Sequence, residues 1–324
     1  MSPVEPAFSL SGVVPRLAVK AAHVPRSETG IGALVPWADR LWFVTYVAHK
    51  AATGGGTGLF SVDDAMVLTK HPESVVGTYA NRLVHRETSQ LFIGPHVIDV
   101  DGNVRTIGDL VDVRLTGTAR HLTDPANKVY MLGMEGEFLE VDVHTLVVTP
   151  LFDLLSELGV EGYPHFKDIC TANGRVVVVN NSYFHDDFPT GQSDGRLAEW
   201  DGSTWRILVR TQFNTLATAN GMGKALYAVG QDRASALLWV HLPTTGWRRY
   251  RLPRATHTQD HAFTTEWPRI REVESERLLM DASGMFYELP PMTYDDAVWG
   301  IRPIAVGQAA GVGRSMVGEH GAGG

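Results

Sequence analysis

The stretch Val129–Asp142, VYMLGMEGEFLEVD, decides the fold. Its first part is apolar up to Leu132, its middle contains Gly133 and Gly136, and its last part alternates polar and apolar residues. Short apolar or alternating runs on either side of a glycine-rich turn are typical of two antiparallel strands. The stretch is therefore predicted to be a β-hairpin.

The same hairpin pattern recurs along the chain. The second strands of the predicted hairpins begin near Leu59, Val97, Phe138, Leu197, Leu237 and Phe286, in steps of 38, 41, 59, 40 and 49 residues. Repeats of about 40 to 50 residues made of short strands indicate a β-propeller, in which each copy forms most of a four-stranded blade. We therefore predict an all-β fold, a β-propeller of six or seven blades.

Two irregular segments flank the predicted propeller domain, which spans residues 31–306. Residues 1–30 are broken by prolines and are predicted to be an irregular lead-in, and the Gly- and Ala-rich residues 307–324 are predicted to be a disordered tail. The stretch VWGIRPI, residues 298–304, is predicted to begin another blade. The ring is then either closed by the N-terminal segment or incomplete at the C-terminus, with an open edge.

The composition is that of a soluble globular protein, with 44% hydrophobic and 20% charged residues. The net charge of −8 supplies no basic field, so neither nucleic acid nor a membrane surface is a predicted partner. The chain has no signal-peptide pattern and no apolar run of about 18 residues, so a cytoplasmic location is predicted. Cys170 is the only cysteine, which excludes an intramolecular disulfide. The oligomeric state is not indicated.

Histidines recur just ahead of the predicted hairpins. His121, His165 and His261 occupy similar positions in three repeats. Because the innermost strands of a propeller line its channel, these side chains are expected to converge on the axis. Three neutral imidazoles suit Mn, Fe, Zn or Ni, so one divalent metal ion is predicted, with Gln259 or Asp168 as an additional partner. The alternative is that each histidine is only a hydrogen-bonded channel residue.

Carboxylates and arginines accompany the histidines. Three carboxylates are candidates for general acid and base catalysis: Asp168, Asp260 and Glu266. Five residues are predicted to bind substrate: Asn81, Arg82, Asn214, Arg269 and Arg271. Arginine forms paired hydrogen bonds with a carboxylate, such as that of an acidic sugar. A salt bridge between Glu266 and an arginine of a neighbouring blade is the alternative interpretation of this cluster.

The repeat and the histidines, over residues 31–300, resemble two metal-centred propeller families, the oligogalacturonate lyases and the carotenoid oxygenases. The lyase signature Gln-x-x-His-x-His has its nearest counterpart here in His257-Thr258-Gln259-Asp260-His261, whose spacing differs. The stretches GTYANRLVH, RHLTDPANKVYMLGMEGEF and TEWPRIREVE resemble a bacterial propeller family to which no reaction is attached. The resemblance to oligogalacturonate lyases implies an acidic sugar as substrate.

Three functions fit these residues. The favoured one is a carbohydrate-active enzyme, a lyase or hydrolase acting on an oligosaccharide or another small molecule at the channel mouth. A bound metal ion would polarise a uronate carboxylate and so acidify the adjacent C–H bond. The second is a metal-free glycoside hydrolase that uses Asp168, Asp260 and Glu266. The third is a non-catalytic propeller that binds a protein partner on its rim.

Overall fold

The computed structural model describes residues 29–47, 58–182, 194–218, 225–231, 235–253, 269–274, 277–282, 285–289 and 302–306. Within these ranges the chain forms six antiparallel sheets of four strands each. In every sheet the strands are consecutive in the chain and lie side by side in chain order. The predicted all-β fold built from four-stranded antiparallel units is confirmed.

Sheets 1 to 6 are numbered in chain order. The strands of sheets 1 to 3 are β1 (Thr29–Trp37), β2 (Arg40–Val47), β3 (Leu59–Val62), β4 (Leu68–Lys70), β5 (Arg82–His85), β6 (Gln90–Ile93), β7 (His96–Ile98), β8 (Val104–Thr106), β9 (Leu115–Arg120), β10 (Lys128–Gly133), β11 (Glu137–Asp142) and β12 (Val148–Asp153). Those of sheets 4 to 6 are β13 (Phe166–Ala172), β14 (Arg175–Asn180), β15 (Arg196–Trp200), β16 (Trp205–Val209), β17 (Gln212–Thr218), β18 (Leu226–Gln231), β19 (Ser235–Leu242), β20 (Gly246–Pro253), β21 (Arg269–Glu274), β22 (Arg277–Ala282), β23 (Met285–Leu289) and β24 (Arg302–Val306). A short helix, α1 (Leu154–Leu158), joins sheets 3 and 4.

The hairpin predicted from the central stretch is β10 and β11. Val129 pairs with Val141 and Leu132 pairs with Phe138. Gly136 lies in the turn with φ of 101°, a conformation that favours glycine because it has no Cβ. The turn chemistry and the alternation therefore set the strand register together.

The first strand of each sheet is its inner strand, and the inner strands lie next to one another in the order β1, β5, β9, β13, β17 and β21. Neighbouring inner strands run in the same direction, as the Thr171 hydroxyl near the end of β13 donates to the carbonyl of Arg120 at the end of β9, 2.6 Å away. We call the face on which the inner strands begin the upper face, and the face on which they end the lower face. The connections between sheets that belong to the described ranges lie on the upper face, since each fourth strand ends there.

Aromatic rings fill the interface between sheets 3 and 4. Phe152 of sheet 3 packs edge-on against Trp200 and Trp205 of sheet 4, with ring centroids 5.4 and 5.9 Å apart. Phe138 makes the same kind of contact with both indoles, at 6.0 and 5.7 Å. Edge-to-face packing of this kind adds to the burial of apolar area. These aromatic side chains thus hold the two sheets together.

The C-terminal strand corrects one prediction. Arg302–Val306 pairs with β23 and forms the outer strand of sheet 6. The stretch VWGIRPI therefore contributes to the end of a sheet, and the prediction that it begins another blade is wrong. No sheet in the described residues combines strands from both ends of the chain. Residues 1–28 and 307–324 lie outside the described ranges.

Tight turns form much of the lower face, and several are held by an aspartate. Asp99 accepts a hydrogen bond from the amide of Asn103, Asp142 from that of Thr145, and Asp201 from that of Thr204. The amide of Thr204 is the largest of the hydrogen-bonding effects that lower the pKa of Asp201 to about 2. Aspartate is favoured in such turns because its carboxylate satisfies nearby backbone amides. No helix in the described part of the chain has the length and apolar character needed to span a bilayer.

A histidine at the start of β7 is buried in the core. His96 of β7 is fully buried, and its Nδ1 atom lies 3.0 Å from the Thr106 hydroxyl. Burial lowers the pKa of His96 from 6.5 to about 4, with a smaller contribution from the charge of His71. His96 is therefore neutral in the folded protein at neutral pH.

The substitution His96→Gln is expected to weaken the pH dependence of stability. The unfolded chain binds a proton on this residue at higher pH than the folded chain does, so the stabilisation from neutral His96 is complete above pH 6.5 and is lost as the pH falls towards about 4. The loss amounts to at most about 3 kcal/mol. Urea unfolding at neutral pH and in mild acid measures it, and an equal acid-induced fall in the free energy of unfolding of the two proteins would contradict the expectation.

Candidate functional site

The upper face carries a loop that is held in place by a buried ion pair. Arg196 and Asp194 lie 2.5 Å apart, and both are almost inaccessible to solvent. The second carboxylate oxygen of Asp194 accepts hydrogen bonds from the amides of Glu161 and Gly162, at 2.6 and 2.8 Å. The guanidinium of Arg196 also donates to the carbonyl of Gly159, which ends helix α1. The loop from Gly159 to the start of β13 is thereby fixed against sheet 4.

This loop delivers His165 to the start of β13. The amide of His165 donates to the Ser182 hydroxyl at 3.0 Å, and its carbonyl accepts from the amide of Asn181 at 3.1 Å. The Nε2 atom of His165 lies 3.3 Å from the ammonium of Lys167. Burial lowers the pKa of His165 well below its usual value, and the positive charges of Lys167 and Arg114 lower it further. His165 is therefore held in the neutral form.

Two buried amides continue from His165 into sheet 5. Asn181 donates through Nδ2 to Oδ1 of Asn214, 3.2 Å away. The two side chains are 3% and 5% exposed. The Asn181 side chain also forms a hydrogen bond with the His165 ring that favours the protonated imidazole, whereas the Nδ2 atom of Asn214 has no hydrogen-bond partner in the structure. Buried amide groups rarely lack partners, so the N–H group of Asn214 has unused hydrogen-bonding capacity.

Bulges interrupt the inner strands near the upper face. The register shifts between Phe166 and Asp168 in β13 and between Phe213 and Thr215 in β17, so that Lys167 and Asn214 are the extra residues. A bulge re-aims the side chain of its extra residue and is frequent next to functional sites. The bulges therefore explain why a lysine and an asparagine of neighbouring inner strands meet here.

A second ion pair lies beside these residues, on the side of sheet 3. The Nε atom of Arg114 donates to Glu135 at 2.6 Å. Burial by itself would lower the pKa of Arg114, but the hydrogen bond and the charge of Glu135 outweigh this and raise it. Tyr163, which is 43% exposed, and Tyr46 are near enough to act on the same guanidinium. We call Arg114, His165, Lys167, Asn181 and Asn214 the upper cluster.

The structure does not bring two of the predicted metal ligands together. His121 follows β9 on the lower face, whereas His165 precedes β13 on the upper face. The seven residues of β13 separate the two levels by about 20 Å. His121 Nε2 lies 2.9 Å from Glu140, and its Nδ1 accepts a hydrogen bond from the amide of Asp124. The described residues contain no group of three histidine, cysteine, aspartate or glutamate side chains placed to hold a metal ion.

Asp168, a predicted catalytic residue, lies in β13 and joins two sheets. One carboxylate oxygen accepts from its neighbour Ile169, and the other accepts from the amide of Leu216 in β17, each at 2.9 Å. Both oxygens are thus engaged by backbone amides. Such an arrangement stabilises the contact between the inner strands β13 and β17, which belong to sheets 4 and 5.

Two predicted substrate-binding residues lie at the start of β5. Asn81 donates through Nδ2 to the carbonyl of Gly94 and to the Thr118 hydroxyl, both at 2.9 Å. Arg82 follows it on the upper face and is half-buried. Asn81 therefore links sheets 2 and 3. Among the predicted binding residues whose side chains the structure describes, only Asn214 lies in the upper cluster.

The remaining predicted residues are described in part or not at all. The backbones of Arg269 and Arg271 lie in β21, where they pair with Asp281 and Leu279. Their side chains lie outside the described part of the structure. The same holds for four complete residues: Gln259, Asp260, His261 and Glu266.

Sequence reasoning missed Lys167, Asn181 and Arg114. Lys167 stands two positions after His165, and in a regular strand this spacing would indicate the same side of the sheet. The bulge that places it has no sequence signal of its own. Arg114 stands immediately before inner strand β9, and Arg82 is the first residue of inner strand β5. The two arginines therefore occupy nearly equivalent positions in neighbouring sheets. A comparison of the residue types that stand one to three positions before each inner strand would have identified Arg114.

Comparison with known proteins supports the fold. The chain is similar to the β-propeller domain of Cps50 (Swd1) from Myceliophteria thermophila, with 12% identity and a TM-score of 0.50 over 87% of this chain and 89% of that chain. It is also similar to YCF48 from Cyanidioschyzon merolae, with 11% identity and a TM-score of 0.46 over 82% and 83% of the two chains. At such low identity only the fold is shared, and that fold is a β-propeller. No family model and no curated protein matches the chain, so the resemblance to oligogalacturonate lyases stays a prediction.

The substitution Asp168→Asn is expected to lower the free energy of unfolding by about 1 to 3 kcal/mol, because one of two backbone amides loses its acceptor. Chemical denaturation measures this loss. Asp109→Asn, at an exposed position on the upper face, is the matched control and is expected to have little effect. Unchanged stability combined with a loss of catalytic activity would support the catalytic role predicted from the sequence instead.

Proposed function

We propose that the chain is a carbohydrate-active enzyme with its site on the upper face, where sheets 3, 4 and 5 meet. The observation that carries this proposal is the upper cluster, in which a neutral histidine lies against a lysine and beside two buried amides, one of which has an unused N–H group. Sugars are recognised by side chains that donate and accept hydrogen bonds, and an acidic sugar also needs a cation. The cluster offers all of these groups.

The same residues support elimination from a uronic acid as the reaction. In this reaction a base removes the proton beside the carboxylate, the electron pair forms a C=C bond, and the glycosidic C–O bond breaks as its oxygen takes up a proton. His165 is neutral and has an unprotonated ring nitrogen that serves as the base, and the negative charge of a bound substrate would raise its lowered pKa. Lys167 and Arg114 supply positive charge near the carboxylate, on which negative charge develops.

Hydrolysis is the alternative reaction at the same face. It would use Asp260 and Glu266 as acid and base, as the sequence predicts. Asp168, the third carboxylate predicted for hydrolysis, is tied to two backbone amides, and this contact favours elimination.

A divalent metal ion shared by His121 and His165 does not fit the described residues, because the two side chains lie on opposite faces of the sheets. No step of the proposed reaction passes through such an ion. The proposal includes a six-bladed ring, in which sheet 6 closes against sheet 1 without exchange of strands. Its support is the number of four-stranded sheets in the described residues and their formation from consecutive strands.

Incubation with polyuronates and with neutral polysaccharides tests the function. Elimination creates a C=C bond conjugated to the carboxylate, which appears as new ultraviolet absorbance, whereas hydrolysis creates reducing ends without it. His165→Gln is expected to lower the elimination rate by about a hundredfold or more, since it removes the base. His144→Gln, at an exposed position on the lower face, is the matched control.

Three results would contradict this proposal. Release of reducing ends without the ultraviolet signal would establish hydrolysis as the reaction. Equal loss of activity in His121→Gln and His165→Gln, with folding intact, would support a centre shared by both histidines. No product from any acidic or neutral polysaccharide would overturn the assignment as a carbohydrate-active enzyme.

A further inference from the structure

The outer strand of sheet 5, β20, is the longest outer strand in the described part of the chain. It has eight residues, whereas β4 and β8 have three each and β12, β16 and β24 have six, five and five. Among the described strands only β19 pairs with it, so one row of its backbone N–H and C=O groups has no sheet partner. Its edge is long enough to accept a further strand.

The other outer strands carry features that oppose such an addition. Short edge strands and prolines within an edge both prevent pairing with another chain. β4 and β8 are short, and β12 and β24 contain Pro150 and Pro303. The only proline of β20 is its last residue, Pro253. β20 therefore differs from the outer strands of the other sheets.

Two exposed arginines, Arg249 and Arg251, project from one side of β20. Side chains alternate between the two sides of a strand, so both share a side with Trp247. This side faces sheet 4, because the indole of Trp247 donates to Glu199 of β15 at 3.0 Å. Arg249 pairs across the strands with Trp239 of β19, which packs against the same core as Trp247. Two guanidinium groups therefore stand beside two indoles.

Positive charge exceeds negative charge on this side of sheet 5. The buried Glu199 contacts both Arg206 of β16 and Arg175 of β14, so two arginines of sheet 4 share one carboxylate. Arg249 and Arg251 add their charges next to this group. The region is cationic although the whole chain has a net charge of −8. We call the following residues the arginine surface: Arg206, Trp239, Trp247, Arg249 and Arg251.

The spacing of the arginines matches the side chains of a strand. Residues two positions apart on a strand added to β20 would project to the same side and lie opposite Arg249 and Arg251, with Cβ atoms about 5 Å apart. Carboxylates there would form paired hydrogen bonds with the guanidinium groups. The intervening residue would lie beside Tyr250, which packs against the core between sheets 5 and 6, so an apolar side chain fits.

Other occupants fit this edge less well. A second copy of β20 would place arginine against arginine, and like charges directly opposite each other destabilise a strand pair. Nucleic acids and lipid headgroups would satisfy the charges but have no peptide backbone to pair with the strand. An extended, acidic stretch of another protein satisfies both the edge and the charges.

We propose that β20 and the arginine surface bind an acidic, extended segment of a partner protein, which joins sheet 5 as an additional strand with carboxylates at alternate positions. Backbone hydrogen bonds supply affinity in this mode of recognition, and the alternate side chains supply specificity. The inference goes beyond the proposed function and does not depend on it, because the arginine surface lies on the outer part of sheets 4 and 5 and the upper cluster lies at their inner strands.

Fluorescence anisotropy with a labelled peptide of about nine residues, enough to span β20, tests the proposal. The peptide alternates glutamate and valine and is expected to bind. The double variant Arg249→Glu/Arg251→Glu is expected to weaken binding by about tenfold or more, because attraction becomes repulsion at both positions. The matched control is Lys70→Glu/Arg105→Glu, which makes the same change in net charge at exposed positions of β4 and β8 and is expected to bind as the unchanged protein does.

Two modified peptides separate strand addition from attraction by charge alone. A peptide of the same composition with all glutamates before all valines is expected to bind at least about tenfold more weakly, since its carboxylates do not alternate. N-methylation of all valine amides or of all glutamate amides removes the N–H groups from one edge of the peptide. One of these two peptides is expected to lose binding and the other to retain it, because only one edge faces β20.

The urea unfolding midpoint of each variant confirms that it is folded, and Arg249→Gln/Arg251→Gln replaces the glutamate variant if that variant is destabilised. Absence of binding by the alternating peptide would overturn the proposal. Equal binding of the alternating and the block peptide, or of the two N-methylated peptides, would also overturn it. Tighter binding of single-stranded DNA or of phosphatidylserine vesicles, lost in the same arginine variant, would assign the surface to a nucleic acid or a membrane instead.

Discussion

Hydrogen bonds between neighbouring inner strands are the constraint on which the rest of the structure depends. An inner strand has a sheet partner on one side only, so the backbone groups on its other side need acceptors and donors from elsewhere. Asp168 supplies an acceptor for Leu216, and the Thr215 hydroxyl supplies one for Ile270 in the next sheet. Each bond fixes the height of one inner strand relative to its neighbour. The bulges of β13 and β17 therefore meet at one level, and the polar residues that they carry form a cluster.

The upper and lower faces differ because they hold different kinds of connection. Connections between strands on the lower face are tight, and Asp99, Asp142 and Asp201 satisfy the backbone amides within them. On the upper face the chain passes from one sheet to the next, and a longer connection such as that after α1 needs its own support. The buried pair of Asp194 and Arg196 gives that support to the loop that carries His165. Polar chemistry accumulates on the upper face, where loop length and side-chain type are least restricted by turn geometry.

Local sequence patterns predicted the hairpins well, since alternation and turn glycines act within a few residues. The register of Val129 with Val141 follows directly from them. The candidate site was harder to predict, because it depends on which end of an inner strand a residue occupies. His121 and His165 both stand ahead of a hairpin, yet one follows its inner strand and the other precedes it. The inner strands have weak patterns, as in Leu115–Arg120, LTGTAR, and their bulges have none. The stretch VWGIRPI shows the same limit, because a single strand does not reveal whether it begins a sheet or completes one.

The formation of every described sheet from four consecutive strands has a consequence for biosynthesis. A sheet of this kind needs no strand from a distant part of the chain, so each is able to assemble as soon as its fourth strand has left the ribosome. Most strand pairings then join residues that are close in sequence, which favours rapid folding. The nascent chain would expose only one incomplete sheet and the uncovered surfaces of the first and the newest sheets at a time, and this limits the hydrophobic surface available for aggregation during translation.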